Sequence, residues 1–250
     1  EANDTRIRAL RSADRTGVND RHIVDSADSV AGYAQSRIEF TERFAVTPGV
    51  RVESYQQKRV VLTDDNASAK TSNTEFLPGV GATFDLTGAA QLYGGVYRAF
   101  SPAANGVALD GLKDQQLDGE RSVNYEAGIR GVVSSLKYEA AAFYLDFSNQ
   151  VVTGNSNPEL SRSNAGATSH KGLELSLAQQ VTSAFSIDSN LTWVPESEFK
   201  TGTNAGKRLP YAPKLVANLG LSYELERLAL TLNMHHRGEQ FGDPTNRLDI

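Results

Sequence analysis

Apolar and polar residues alternate along this chain with a period of two, and the alternation runs longer than soluble strands usually do. In "KLVANLGLSYEL" (214–225), Leu215, Ala217, Leu219, Leu221, Tyr223 and Leu225 share one face, opposite Asn218, Gly220, Ser222 and Glu224. In "FSIDSNLTW" (185–193), Phe185, Ile187, Leu191 and Trp193 oppose Ser186, Asp188, Asn190 and Thr192. The same reading holds for 122–133, 171–178 and 228–236, and less cleanly near 31–41, 46–60, 75–86, 90–100 and 136–149. About ten strands result, several reaching ten residues or more, where a soluble strand averages about five or six. A tilted strand crossing a bilayer needs about 9–11.

The connections sharpen that expectation. Short turns are expected near 41–44, Thr87-Gly88, 134–135, 182–184 and 226–227. Longer loops are expected near 61–74, 101–119, 150–168 and 196–211. Tight turns at one end and long loops at the other are the asymmetry of an outer-membrane barrel, with periplasmic turns and extracellular loops. Aromatic residues gather at both strand ends. Tyr55, Tyr97, Phe100, Tyr144, Phe147, Trp193 and Tyr211 lie by the loops; Phe40, Phe44, Phe84, Tyr138, Phe185 and Tyr223 lie by the turns. Two such bands match two membrane interfaces. Arg51, Glu53, Glu126, Arg130, Glu174, Asp188 and Glu224 sit on the polar face, which a dry core would not accept unpaired. The expected fold is all-β: a partial antiparallel transmembrane β-barrel.

Composition removes other classes. No apolar run nears the roughly 20 residues of a membrane helix. There are 0 Cys, so disulfides, thiolate metal sites and Cys nucleophiles are excluded. A net charge of −5 argues against nucleic acid as a partner. No nucleophile elbow, P-loop or zinc-protease motif occurs, so no enzyme activity and no cofactor is expected. The 4 His (His22, His170, His235 and His236) lack metal-ligand spacing, and the adjacent pair points to opposite faces of a strand. "TDDNAS" (63–68) lacks the Gly and terminal Glu of a calcium loop and reads as a solvated loop.

Several segments also share a family look. "VTPGVRVE" (46–53), "YRAFSP" (97–102), "ERSVNYEAGIRG" (120–131) and "FYLDFSNQV" (143–151) come first in chain order. "NAGATSHKGLELSL" (164–177), "RLPYAPKLVANLGLSY" (208–223) and "HHRGEQFGDPTN" (235–246) follow. Singly these mostly encode strand ends. As an ordered set over 31–246 they resemble TonB-dependent outer-membrane siderophore receptors, with spacing closest to the ferric-citrate type.

The resemblance implies a barrel of about 22 strands closed by a plug. It also implies uptake of a ferric chelate driven by the TonB complex, in the outer membrane of a Gram-negative bacterium, among lipid and lipopolysaccharide. Residues 1–250 are expected to be part of one barrel domain, roughly its middle-to-late half, without the plug, the TonB-contacting segment or the last strands. Ferric chelates are often anionic, so Arg98, Arg121, Arg162, Lys171, Lys207 and Arg208, at outer strand ends or in loops, are the candidate substrate-binding residues. No metal-ligating residue is expected. A passive porin-like channel and a soluble β-sandwich binding module are the alternatives the pattern leaves open.

Overall fold

A computed structural model describes residues 22–102, 119–153 and 162–250. The chain's first stretch, most of the expected loop at 101–119 and residues 154–161 of the expected loop at 150–168 lie outside the described residues; 150–153 and 162–168 are strand rather than loop. Eleven strands form: β1 (Ile23–Gln35), β2 (Ile38–Glu39), β3 (Phe44–Val61), β4 (Ala67–Thr87), β5 (Ala90–Ser101), β6 (Glu120–Val133), β7 (Leu136–Thr153), β8 (Arg162–Gln180), β9 (Phe185–Phe199), β10 (Leu215–Leu225) and β11 (Leu228–Arg237). They make one sheet in the order β1-β3-β4-β5-β6-β7-β8-β9-β10-β11, with the two-residue β2 pairing with β3. Every pairing whose register is described is antiparallel. No helix forms among the described residues.

Two compact units can be distinguished, with boundaries inside β1, β3, β4, β5 and β6. In the first (22–34, 50–77, 100–102 and 119–120), Arg59 is buried and pairs with Asp25 through two 2.8 Å bonds. Ser29 donates to Glu53 at 2.8 Å, and Tyr55 packs on Phe100 with ring centroids 5.2 Å apart. The expected long loop at 61–74 is absent here. β3 and β4 meet instead in a tight hairpin at 62–66, with Asp65 (φ 46) and Asn66 (φ 59) left-handed. Ala67 N–H closes it on Asp64 C=O at 2.7 Å. Asp and Asn tolerate that region, which hairpin turns of matching twist require. "TDDNAS" is thus a hairpin tip. The polar run "SAKTSNTE" (68–75) belongs to β4, where its lack of apolar residues hid it.

The second unit is 35–49, 78–99 and 121–250. Its register places apolar residues against apolar ones strand after strand. One row runs Ala127, Ala142, Leu173, Trp193, Leu215; the next runs Ile129, Ala140, Leu175, Leu191, Ala217. Leu219 faces Met234, Leu221 faces Leu232, and Tyr223 lies between Phe185 and Leu230. Polar residues match likewise on the other face: Ser176, Asn190, Asn218 and His235 form one row, joined by Asn218 Nδ2 to Asn190 Oδ1 at 2.6 Å. Gly220 lies opposite Asp188, and a Cβ there would collide with the Asp188 carboxylate.

Leu173, Leu175, Trp193, Tyr223, Leu230, Leu232 and Met234 are all exposed, and no second sheet covers them among the described residues. Water does not tolerate an apolar face of this extent, so lipid is its solvent. A soluble sandwich, which needs a second apolar layer, is set aside. Eight residues separate Trp193 from Phe185 on β9, about 27 Å along the strand, enough for a tilted crossing of the ~25 Å apolar band. The turn expected at Thr87-Gly88 falls one residue later, at Gly88-Ala89, because a bulge between Asp85 and Thr87 pairs Thr87 with Ala90. Thr87 Oγ1 then accepts Ala89 N–H at 3.1 Å.

Candidate functional site

Beyond the Trp193 row, β7, β8 and β9 continue outward and the two faces of the sheet diverge. The change begins at a bulge. Leu173 pairs with Trp193, but Lys171 pairs with Glu196, so Val194 and Pro195 both lie against Gly172. Gly172 has no room for a Cβ, which would run into the Phe143 ring and Trp193 C=O. Pro195 has no N–H, and the bulge leaves the Val194 and Pro195 carbonyls off the ladder.

Arg208, in the connection between β9 and β10, takes up those carbonyls. Its Nη2 donates to Val194 O (2.7 Å) and Pro213 O (3.2 Å), Nη1 to Pro195 O (3.0 Å) and Nε to Ala212 O (2.8 Å). Asn246 brackets its backbone, accepting the Arg208 N–H and donating to its C=O, both at 2.8 Å. Asn246 is itself left-handed (φ 56). Asp243 orders that segment by accepting the N–H groups of Thr245 (2.7 Å), Arg247 (2.9 Å) and Leu248 (2.7 Å) and the Thr245 hydroxyl. Those bonds favour its anion and hold its pKa down at about 2. Burial lowers the Arg208 pKa and nearby Glu198 pulls it back up; a guanidinium stays charged regardless.

On the same side lies a compact polar cluster. Thr168 and Ser197 are fully buried, and Phe199 and Leu209 nearly so. His170 Nδ1 meets Ser197 Oγ at 2.9 Å, its Nε2 meets Gln150 Oε1 at 3.3 Å, and Thr168 Oγ1 donates to the same Gln150 oxygen. With Gln150 accepting, Nε2 carries the proton and Nδ1 accepts from Ser197, which describes a neutral imidazole. Phe147 packs edge-on against the ring at 5.5 Å. Burial lowers the His170 pKa, and the Arg208 charge lowers it further.

The opposite side of the same strands is exposed and carries ion pairs. Lys171 Nζ donates to Glu196 Oε2 at 2.8 Å and lies 5.3 Å from the centroid of the Tyr144 ring. Ser169 holds the other Glu196 oxygen at 3.0 Å, and Lys200 pairs with Asp146 at 2.8 Å.

The six expected residues therefore divide. Lys171, Lys207 and Arg208 lie on neighbouring elements, Lys207 through Phe199 N–H to its C=O at 3.0 Å. Arg98 is exposed near the outer end of β5. Arg121 stands at the bulged start of β6, its C=O accepting Ser148 Oγ at 3.3 Å. Arg162 opens β8 opposite Thr153, and its side chain lies outside the described residues. These last three are on separate strands. Sequence reasoning weighed His170 only as a metal ligand and passed over Gln150 and Ser197. Their only signal was polar residues on the face opposite Lys171 and Leu173, without a spacing that names a chemistry.

The family model for TonB dependent receptor-like, beta-barrel proteins matches residues 3–249. The chain belongs to that family. Its barrels are Gram-negative outer-membrane proteins, which agrees with the exposed apolar face and fixes the localisation. Among curated relatives, the pesticin receptor of Yersinia pestis is 27% identical over 197 residues, covering 76% of this chain and 29% of that protein. The probable TonB-dependent siderophore receptor PiuA of Acinetobacter baumannii is 22% identical over 249 residues, covering 88% and 33%. The chain thus spans about a third of the length of the curated relatives it matches. Two solved structures share the fold. The ferric yersiniabactin uptake receptor FyuA from Yersinia pestis has a TM-score of 0.75 at 24% identity, over 92% of this chain and 37% of that one. The unliganded ferric citrate transporter FecA has 0.73 at 23%, over 93% and 35%.

Proposed function

We propose that this chain is part of an outer-membrane receptor that takes up a ferric siderophore or a ferric-citrate-like chelate with energy from the TonB complex. The family match over residues 3–249 carries the reading, together with relatives named for siderophore, ferric citrate and pesticin reception. Residues 1–250 belong, in this reading, to one barrel domain, with a plug seated against the polar face. The chain then works by binding and transport rather than by catalysis. Arg98, Arg121, Arg162 and Lys207 are its candidate contacts to an anionic chelate; Lys171, expected from the sequence to join them, turns to the lipid-side surface instead. Arg208 serves the same end indirectly, by holding the 200–214 connection against β9. Lys171 and Lys200, on the lipid-side surface just beyond the Trp193 row, suit the phosphates of lipopolysaccharide.

Growth of a deletion strain on single iron sources tests this. Loss of growth on one ferric chelate, restored by the gene only when TonB is present, is the expected result. Restoration without TonB would point to a passive channel. No growth defect on any iron source would reject the reading.

A further inference from the structure

Two outer segments of the sheet meet at one imidazole. Gln150 stands where β7 is irregular against β8, opposite the left-handed Gly166 (φ 74). Ser197 lies near the outer end of β9, and its C=O accepts the Leu209 N–H of the 200–214 connection at 2.8 Å. His170, between them on β8, contacts the Gln150 side chain through Nε2 and the Ser197 side chain through Nδ1. The connection is tied to the same place by Phe199 N–H to Lys207 C=O (3.0 Å) and Gly206 N–H to Phe199 C=O (2.8 Å). Ala167 N–H to Thr201 Oγ1 (3.2 Å) joins it to β8.

This network accommodates one ring proton. Gln150 Oε1 already accepts from Nε2 and from Thr168 Oγ1. Ser197 Oγ donates to Nδ1, is fully buried, and has no other partner among the described residues. A proton on Nδ1 would turn that nitrogen into a donor and leave the Ser197 hydroxyl proton without its acceptor in a buried place. The surrounding charges offer no compensation. Arg208, from the connection, sets a positive charge against an imidazolium. Glu198 on β9 acts on the Arg208 charge. Glu196 on β9 and Asp146 on β7 lie on the opposite side of the sheet, engaged by Lys171 and Lys200. β6 contributes the neutral Asn124, aligned with Leu145 and His170 in the register. No carboxylate hydrogen-bonds the ring among the described residues.

We infer that His170 is an acid-sensitive clamp: its neutral imidazole joins the outer ends of β7 and β9 and steadies the 200–214 connection, and protonation releases that connection while the apolar rows stay paired. The release is local because the ring touches only the outer ends. The rows from Trp193 down to Phe185 are held by ladder bonds and lipid, which contain no group of this kind.

The test is hydrogen exchange of the full-length receptor in detergent at pH 7.5, 6.5 and 5.5, corrected for the intrinsic rate, which reports local opening. Peptides within 196–214 should lose protection by about three- to tenfold between pH 7.5 and 5.5. Tenfold is the ceiling for one imidazole of ordinary pKa about 6.5 in the open state. Peptides within 215–237 should not change, and protection should return at pH 7.5. His170→Gln, which stays uncharged, should make 196–214 independent of pH over this range. The triple variant His22→Gln, His235→Gln, His236→Gln should keep the loss. An unchanged 196–214 in the wild type, an equal loss over 215–237, or the same loss in His170→Gln would each overturn the inference. If His170→Gln fails to fold, shown by loss of heat-modifiable migration, the triple variant decides, and disappearance of the loss there sinks the idea.

Discussion

Arg208 and Lys171 are cations at the same outer end of the sheet, yet they meet opposite surroundings. Arg208 is buried and contacts neutral carbonyls, four of them, on two stretches of chain. Lys171 is half-exposed, with a side-chain accessibility of 52%, and contacts one carboxylate and one ring. The buried cation replaces ladder bonds that a bulge took away, so its loss strands several acceptors at once. The exposed pair competes with water and salt at both of its ends. The difference teaches that formal charge says little about what a residue does here; the count of groups left unsatisfied without it says more.

Arg208→Ala should therefore have the largest effect. Several buried carbonyls lose their donor together, and a destabilisation of about 3–5 kcal/mol is expected. Thermal unfolding of the detergent-solubilised receptor measures it, and limited proteolysis should begin within 195–213. Arg208→Lys retains the charge but cannot reach all four carbonyl groups at once, so it should recover less than half of the loss. Full recovery by Lys would show that charge, not the fork, holds the connection.

Moving a cation down the exposed face sharpens the contrast from the other side. Leu219 lies midway between the Leu215 and Tyr223 rows, opposite Met234 and Ser189. Leu219→Arg puts a guanidinium near the middle of the apolar band, at a cost of about 2–4 kcal/mol. A cation at position 171 avoids that cost because it lies beyond the Trp193 row. A Leu219→Arg receptor that refolds into lipid as stably as wild type would remove the membrane assignment of this face.

His170 gives a smaller, pH-dependent effect. Its folded pKa lies below the ordinary value because burial and Arg208 disfavour the imidazolium. The unfolded chain therefore takes up the proton first as pH falls. Stability is flat above the unfolded pKa of about 6.5 and declines below it, until pH passes the folded value, with a slope of at most about 1.4 kcal/mol per pH unit. Unfolding at pH 7.5 and 5.5 should show the decline in wild type and less of it in His170→Gln. An identical decline in both would assign it to other groups.

How much of this was readable beforehand follows the same division. The apolar rows could be read because each strand repeats the signal every second residue, and the register then aligns them. β4 beyond the membrane could not, because "SAKTSNTE" has no apolar stripe when both faces are wet; only Asp65-Asn66 marked the hairpin. Arg208 was recognised as a cation at the right end, but its partners are backbone carbonyls, which carry no sequence signature. His170 looked isolated because Gln150 and Ser197 lie 20 and 27 residues away and meet it only through the register of β7, β8 and β9.

The smallest expected effect belongs to Lys171. Although its bond to Glu196 is short, both side chains are accessible, and exposed pairs of this kind add little. Lys171→Ala should leave the unfolding midpoint unchanged within error, at low salt and at high. A double-mutant cycle with Glu196→Ala should give a coupling indistinguishable from zero. A role in the proposed lipopolysaccharide contact would appear elsewhere, as reduced retention of phosphate-bearing lipid A relative to its dephosphorylated form. A fall in midpoint comparable to that of Arg208→Ala would break the comparison. It would mean that the outer surface of β8 and β9 is held by its ion pairs as firmly as the inner surface is held by Arg208.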